Sequence, residues 1–181
     1  MLTRWKKISE EVINRNSHWA YKRDKFEIPG RKKGEYHYVH TEGSTLIIPV
    51  LSSGKILLVN QYRYLVGKEV LEFPCGVIEP NLTKEENAIK ELREETGFTA
   101  NEIFYVGEFI PYSGVSDEIS YVFIAKDLQL SPLQPDDTEE FELVELTVSE
   151  FEKMISKNKI IDGMTLAAWQ MAKEKVKKLL G

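Results

Sequence analysis

Three glutamates, Glu91, Glu94 and Glu95, stand at i, i+3 and i+4 in the segment Thr83–Thr96. At about 100° per residue these positions share one arc of an α-helix. Thr83 followed by Glu86 forms a T-x-x-E capping box, and Gly97 sits where a left-handed stop is wanted, so the segment is predicted to be helical. Ala88, Ile89 and Leu92 make the neighbouring apolar stripe. Glu86, Lys90 and Arg93 fall on the remaining face, with Glu86 and Lys90 at favourable i, i+4 spacing. Carboxylates this close repel one another and are costly beside a core unless paired. A hard divalent cation answers that cost: magnesium takes a few carboxylates, keeps several waters and holds phosphate oxygens. A solvated acidic face stands as the alternative reading of the spacing alone.

The rest of the chain bears on that choice. The formal charge of -5 argues against general nucleic-acid binding, and it requires a positive bridge to any anionic ligand. In 181 residues, 42% hydrophobic and 29% charged, a folded core forms without disulfides or structural metal. The single cysteine, Cys75, permits no intramolecular disulfide and no thiolate zinc cage, which fits a reducing compartment. Met1 to Val12 lacks the apolar centre of a signal peptide, and the longest apolar run, Leu46 to Leu51, is too short to span a bilayer. The expectation is a cytoplasmic protein with no membrane partner.

The elements that must position the glutamates follow from pattern. Leu2 to Ile13 reads as a short helix or ordered lead-in. Trp19 to Ile28 and Glu35 to His40 read as strands of a hairpin around the Pro29–Gly34 turn. Strands are expected at Leu46–Leu51, Lys55–Tyr62, Val70–Phe73, Ile103–Ile110, Ile119–Ala125 and Glu142–Thr147, with Ile56 to Val59 buried on both faces. Ser131 to Glu140 is an acidic loop. Helices are expected at Val148–Ser156 and Met164–Leu180, with Trp169 in the core. Strands interleaved with few helices predict an α/β or α+β sandwich.

The segment GVIEPNLTKEENAIKELREETGF, Gly76 to Phe98, resembles the Nudix box, G-x5-E-x7-R-E-U-x-E-E-x-G-U, where U is a bulky apolar residue. The resemblance implies an α/β/α sandwich with a mixed sheet and a metal-dependent hydrolase. Its metal ligands would be Glu91, Glu94 and Glu95, and its cation magnesium, with manganese as the alternative. Two positions depart: Leu82 replaces the glutamate of G-x5-E, and Lys90 replaces the arginine. Both positions help orient the ligands in the family, so binding without cleavage, as in a nucleotide sensor, remains a second reading.

Gln61-Tyr62-Arg63 followed by Glu72-Phe73-Pro74-Cys75-Gly76 is similar to the Q-Y-R and E-L-P-A-G run of the ADP-ribose pyrophosphatase branch. That likeness implies a metal contact from the Cys75 backbone carbonyl, and substrate contacts from Arg63 and Glu72. Gly114-Val115-Ser116-Asp117-Glu118 resembles the branch's G-F-S-D-E segment, with Ser113 where a proline is usual, and nominates Gly114, Ser116 and Glu118 for substrate binding. Lys159 to Thr165 resembles a further element of the branch, read as a turn opening the last helix. The acidic loop would supply the base for the attacking water, with Glu139 favoured over Asp137 and Glu140, and Glu95 assisting. The branch further implies a homodimer in which residues 1–43 serve dimerisation and the substrate's base. Trp19 is then the aromatic to stack on a purine, ahead of Tyr21 and Phe26. The expected reaction is hydrolysis of a nucleoside diphosphate-sugar, ADP-ribose first, with GDP-mannose or a dinucleotide as alternatives.

Overall fold

In the computed structural model, residues 2–135 and 138–180 are described. Three sheets carry the strands. The first, order β1-β2-β3, is antiparallel and comprises β1 (Lys6–Arg15), β2 (Ala20–Ile28) and β3 (Lys32–His40). The second has order β7-β4-β9-β8, from β4 (Ser44–Pro49), β7 (Cys75–Val77), β8 (Phe98–Phe109) and β9 (Ser120–Leu130). The third has order β10-β5-β6, from β5 (Ile56–Arg63), β6 (Lys68–Glu72) and β10 (Glu142–Leu146). β4 runs parallel to β9 while its other neighbour, β7, is antiparallel, which makes the second sheet mixed. The helices are α1 (Lys84–Thr96), α2 (Val148–Ser156) and α3 (Gly163–Leu180).

Alternation along β4 and β9 divides the interior in two. Leu46, Ile48, Val122 and Ile124 face a core with Ile56 and Leu58 of β5, Phe151 of α2 and Trp169 of α3. Ile47, Phe123 and Ala125 face the other way, onto Ala88 and Leu92 of α1. Helix α1 thus covers one side of the second sheet while α2 and α3 pack on the other, the expected α/β/α arrangement. The larger core is keyed by aromatic contacts: Phe73 lies 5.4 Å from Phe151, which meets Trp169 edge-on at 5.1 Å. Ile56, Leu57, Leu58 and Val59 are all buried, as their unbroken apolar run predicts.

Two expectations need correction, and one strand was not foreseen. The Leu2–Ile13 segment is no helix: its larger part is β1, paired along β2. Its own side chains are exposed throughout, so pairing decides its state, not burial. Cross-strand ions fix it (Lys7 to Asp24 at 2.8 Å, Glu11 to Arg23 at 2.5 Å), and Trp5 stacks on Phe26 at 4.4 Å. The hairpin is therefore a three-stranded sheet. Strand β7, three residues between Pro74 and Ile78, is too short to show a period and is made by pairing with β4. Finally, β8 starts at Phe98, directly after the helix, because β9 continues to Leu130 and offers it a partner.

Candidate active site

Helix α1 carries the three glutamates, and its ends form as the sequence predicts. The Thr83 hydroxyl accepts from the Glu86 N–H at 3.2 Å, and the Glu86 carboxylate accepts from the Thr83 N–H at 2.8 Å. Gly97 is left-handed at φ 77°, and its N–H donates to the Arg93 carbonyl. Because Glu86 is committed to the cap, it does not pair with Lys90. That expectation is corrected: Lys90 instead touches Glu94 and lies 3.3 Å from Glu79 and 3.9 Å from Glu91. The third face of the helix is thus turned partly toward the carboxylates.

Gly76 is the close neighbour that sets the position of Glu91. A Cβ built on Gly76 would overlap the Glu91 carboxylate, so glycine here lets that carboxylate keep its place against β7. Glu95 reaches the adjacent residue: its Oε1 accepts from the Cys75 N–H at 3.3 Å. Its Oε2 is buried with no hydrogen-bond partner among the described residues. Glu91 and Glu95 are 9% and 6% exposed, which is unusual for carboxylates. Burial, opposed by the charge of Lys90 and reinforced by those of Glu94 and Glu139, raises Glu91 from 4.5 to about 7. Burial and the charge of Glu91 likewise hold Glu95 well above the ordinary carboxylate range, although the Cys75 N–H opposes them. Burial also pushes the Cys75 thiol up, which disfavours its thiolate.

Among the described residues no three His, Cys, Asp or Glu side chains already form a metal cage. The donor set nevertheless suits a hard cation: two desolvated, mutually repelling carboxylates, one oxygen without a donor, and a third carboxylate held by an ammonium. Glu91, Glu94 and Cys75 line a cleft of about 610 Å³ together with Glu139, Arg63 and Trp19. Within that group Glu139 acts electrostatically on both Glu91 and Glu95. Of the other loop candidates, Glu140 is exposed and outside the cleft lining, and Asp137 lies outside the described residues.

Arg63 grips Glu72 at two points, Nε to Oε1 at 2.9 Å and Nη2 to Oε2 at 2.5 Å. Glu72 is buried, and the pair raises the guanidinium's affinity for its proton. Three of the five guanidinium N–H donors are not used by Glu72. Trp19 is 41% exposed, at the turn between β1 and β2. Its two alternatives are occupied elsewhere: Tyr21 hydrogen-bonds His37 at 2.8 Å, and Phe26 lies under Trp5.

The segment from Gly114 to Glu118 does not line this cleft. The Gly114 carbonyl accepts weakly from the Tyr36 hydroxyl, and Ser116 bridges to Val39. Glu118 accepts from the Ser44 hydroxyl at 2.8 Å, and Asp117 contacts His40 at 2.7 Å. These residues join the first sheet to the second. Near the C-terminus, Asp162 accepts from the Thr165 N–H, which opens α3 as expected, and the Thr165 hydroxyl accepts from Phe73 N–H two residues before Cys75.

Sequence reasoning missed Glu79, His18 and His40 in the cleft and Asn87 beneath it. Buried Asn87 stands four residues before Glu91, on the arc of the glutamates, and that spacing was the available signal.

The chain is similar to known proteins in sequence and fold. The NUDIX domain profile matches residues 40–164. The chain is 31% identical over 146 residues to the ADP-ribose pyrophosphatase of Bacillus subtilis, covering 80% of this chain and 79% of that protein. It is 30% identical over 149 residues to the methanol dehydrogenase activator of Bacillus methanolicus, covering 81% and 80%. It is also 30% identical over 144 residues to the GDP-mannose pyrophosphatase of Yersinia enterocolitica, covering 75% of each. A crystal structure described as an ADP compounds hydrolase superposes with a TM-score of 0.84 over 99% of this chain and 97% of the other, at 18% identity. With a box helix of this geometry and a profile match over most of its length, the chain belongs to the Nudix hydrolases and is similar to their ADP-ribose pyrophosphatases.

Proposed function

We propose that the protein hydrolyses the pyrophosphate bond of a nucleoside diphosphate-sugar, ADP-ribose first, giving AMP and ribose 5-phosphate. The observation that carries this reading is the buried Glu91–Glu95 pair, with its unsatisfied oxygen, beside a cleft that also holds Trp19, Arg63 and Glu139. Glu91, Glu94, Glu95 and the Cys75 carbonyl would hold magnesium, with manganese the alternative. Bound there, the cation offsets pyrophosphate charge and makes water a better nucleophile. Glu139 accepts the proton of the attacking water, its charge already coupled to the cluster. Arg63, oriented by Glu72, directs its remaining N–H donors to a phosphate oxygen. Trp19 supplies a flat face for the purine. Residues 1–43 act as the dimerisation and base-binding segment, with Ile8, Val12 and Ile13 among its exposed apolar side chains.

The test is incubation with ADP-ribose, with and without magnesium or manganese, following AMP by chromatography. Cation-dependent AMP is expected, with turnover falling by orders of magnitude in Glu95→Gln while the circular dichroism spectrum is kept. Faster release of GMP from GDP-mannose would move the substrate. ADP-ribose bound in a calorimetric titration but never cleaved would replace the hydrolase by a sensor.

A further inference from the structure

We propose that Glu79 is a positioning residue for the metal-binding carboxylates, acting through Lys90 in place of the carboxylate that position 82 lacks. The inference rests on the Nudix reading above. Leu82 has no charge to offer, and it lines a separate cleft with Tyr105, Tyr121 and Phe123. Lys90 finds its loop partner three residues earlier, at Glu79 Oε1, 3.3 Å away.

An exposed ion pair by itself contributes little, and the Glu79 side chain is 53% exposed. What distinguishes this pair is how firmly its backbone is held. The Glu79 N–H donates to Asn87 Oδ1 at 3.0 Å, and the Asn87 amide donates to the Thr45 hydroxyl of β4 at 2.9 Å. Asn87 and Thr45 are both fully buried. The Glu79 carbonyl also accepts from the Leu82 N–H at 3.1 Å, closing the turn over Pro80 and Asn81. Strand, helix and loop are thus locked together at the residue that meets Lys90.

An ammonium has three N–H donors, and Lys90 has three carboxylates about it: Glu94, Glu79 and Glu91. Glu79 is the one outside α1 and outside the ligand set. Without it, the freed donor turns to Glu91 or Glu94 and competes with a cation for their oxygens. With it, Lys90 is shared and the two ligands keep lone pairs for metal. The arrangement tunes the site through a second layer of charge, where single changes typically cost about 10–100-fold in metal affinity.

Manganese binding, followed by the electron paramagnetic resonance of free Mn2+, tests the proposal on the purified full chain. Glu79→Gln is expected to weaken Mn2+ binding about tenfold. It should lower kcat and leave KM for ADP-ribose unchanged, and Glu79→Asp should recover most of the affinity. In a Lys90→Met background the same Glu79→Gln change should have no further effect. Wild-type affinity in Glu79→Gln, or an equal loss in both backgrounds, would overturn the proposal and leave the Nudix reading standing. A wild-type chain that binds no Mn2+ would overturn both.

Discussion

Replacing Glu91 with Gln should stabilise the metal-free protein at alkaline pH while destroying its response to metal. Glu91 is buried against Gly76 and ionises at about 7 instead of 4.5, chiefly because burial penalises its charge. A carboxyl that holds its proton more tightly folded than unfolded loses stability as pH rises. For Glu91 the loss begins at 4.5, the unfolded value, and is complete above about 7. At pH 8 the displacement corresponds to roughly 3 kcal/mol against the folded state. Glu95 is shifted in the same direction, so it adds to the trend. Glutamine keeps the shape and removes the charge. After relaxation of the site, Tm in chelator is expected to rise by roughly 4–10 °C at pH 8 and hardly at all at pH 4.5. Magnesium should raise the wild-type Tm at pH 8 and leave that of Glu91→Gln unmoved. Differential scanning fluorimetry across this pH range provides the assay. An equal or lower Tm for the variant at pH 8 in chelator would refute the claim that Glu91 is held at an electrostatic cost.

Other changes probe neighbouring parts of the site. Gly76→Ala places a methyl group where the Glu91 carboxylate lies, and turnover should fall at least about tenfold, with metal affinity measured by calorimetry falling in parallel. Arg63→Ala leaves buried Glu72 without its partner and should cost about 2 kcal/mol in urea unfolding, the exposed end of the pair limiting the loss. Trp19→Ala should raise KM for ADP-ribose several-fold, up to about tenfold, and leave kcat nearly intact, since one stacking face contributes about 0.5–1.5 kcal/mol.

The helix of the site was legible because local chemistry alone specifies it. Thr83, Glu86 and Gly97 fix its ends, and the i, i+3, i+4 glutamates need only helical geometry to converge. The loop-to-helix glycine, Gly76, could be identified by its spacing, but its reason could not, because the overlap with Glu91 is a contact between two elements. Lys90 was misassigned for the same cause. On the helix it has a glutamate four residues away on either side, and with Glu86 taken by the cap the ammonium turns to Glu94 and to the loop residue Glu79. Strands β1 and β7 were hidden because neither buries a periodic face of its own, and each exists through its neighbour. The likeness of Gly114–Glu118 to a substrate-binding segment gave no hint that its polar groups would tie two sheets together.

Strand β1 ends the order of the first sheet, so along ten residues its outer backbone edge is left to solvent. Such an edge ordinarily invites further strands without limit. Here two register breaks, at Lys7–Ser9 and Val12–Asn14, interrupt the ladder, and Lys6, Lys7, Glu10 and Glu11 place charges along it. A flat, repeating template would accept any copy in any alignment; a twice-kinked, charged one accepts a neighbour only if its kinks and charges match. Irregularities of this kind let the segment stay open to water without serving as a template for fibres.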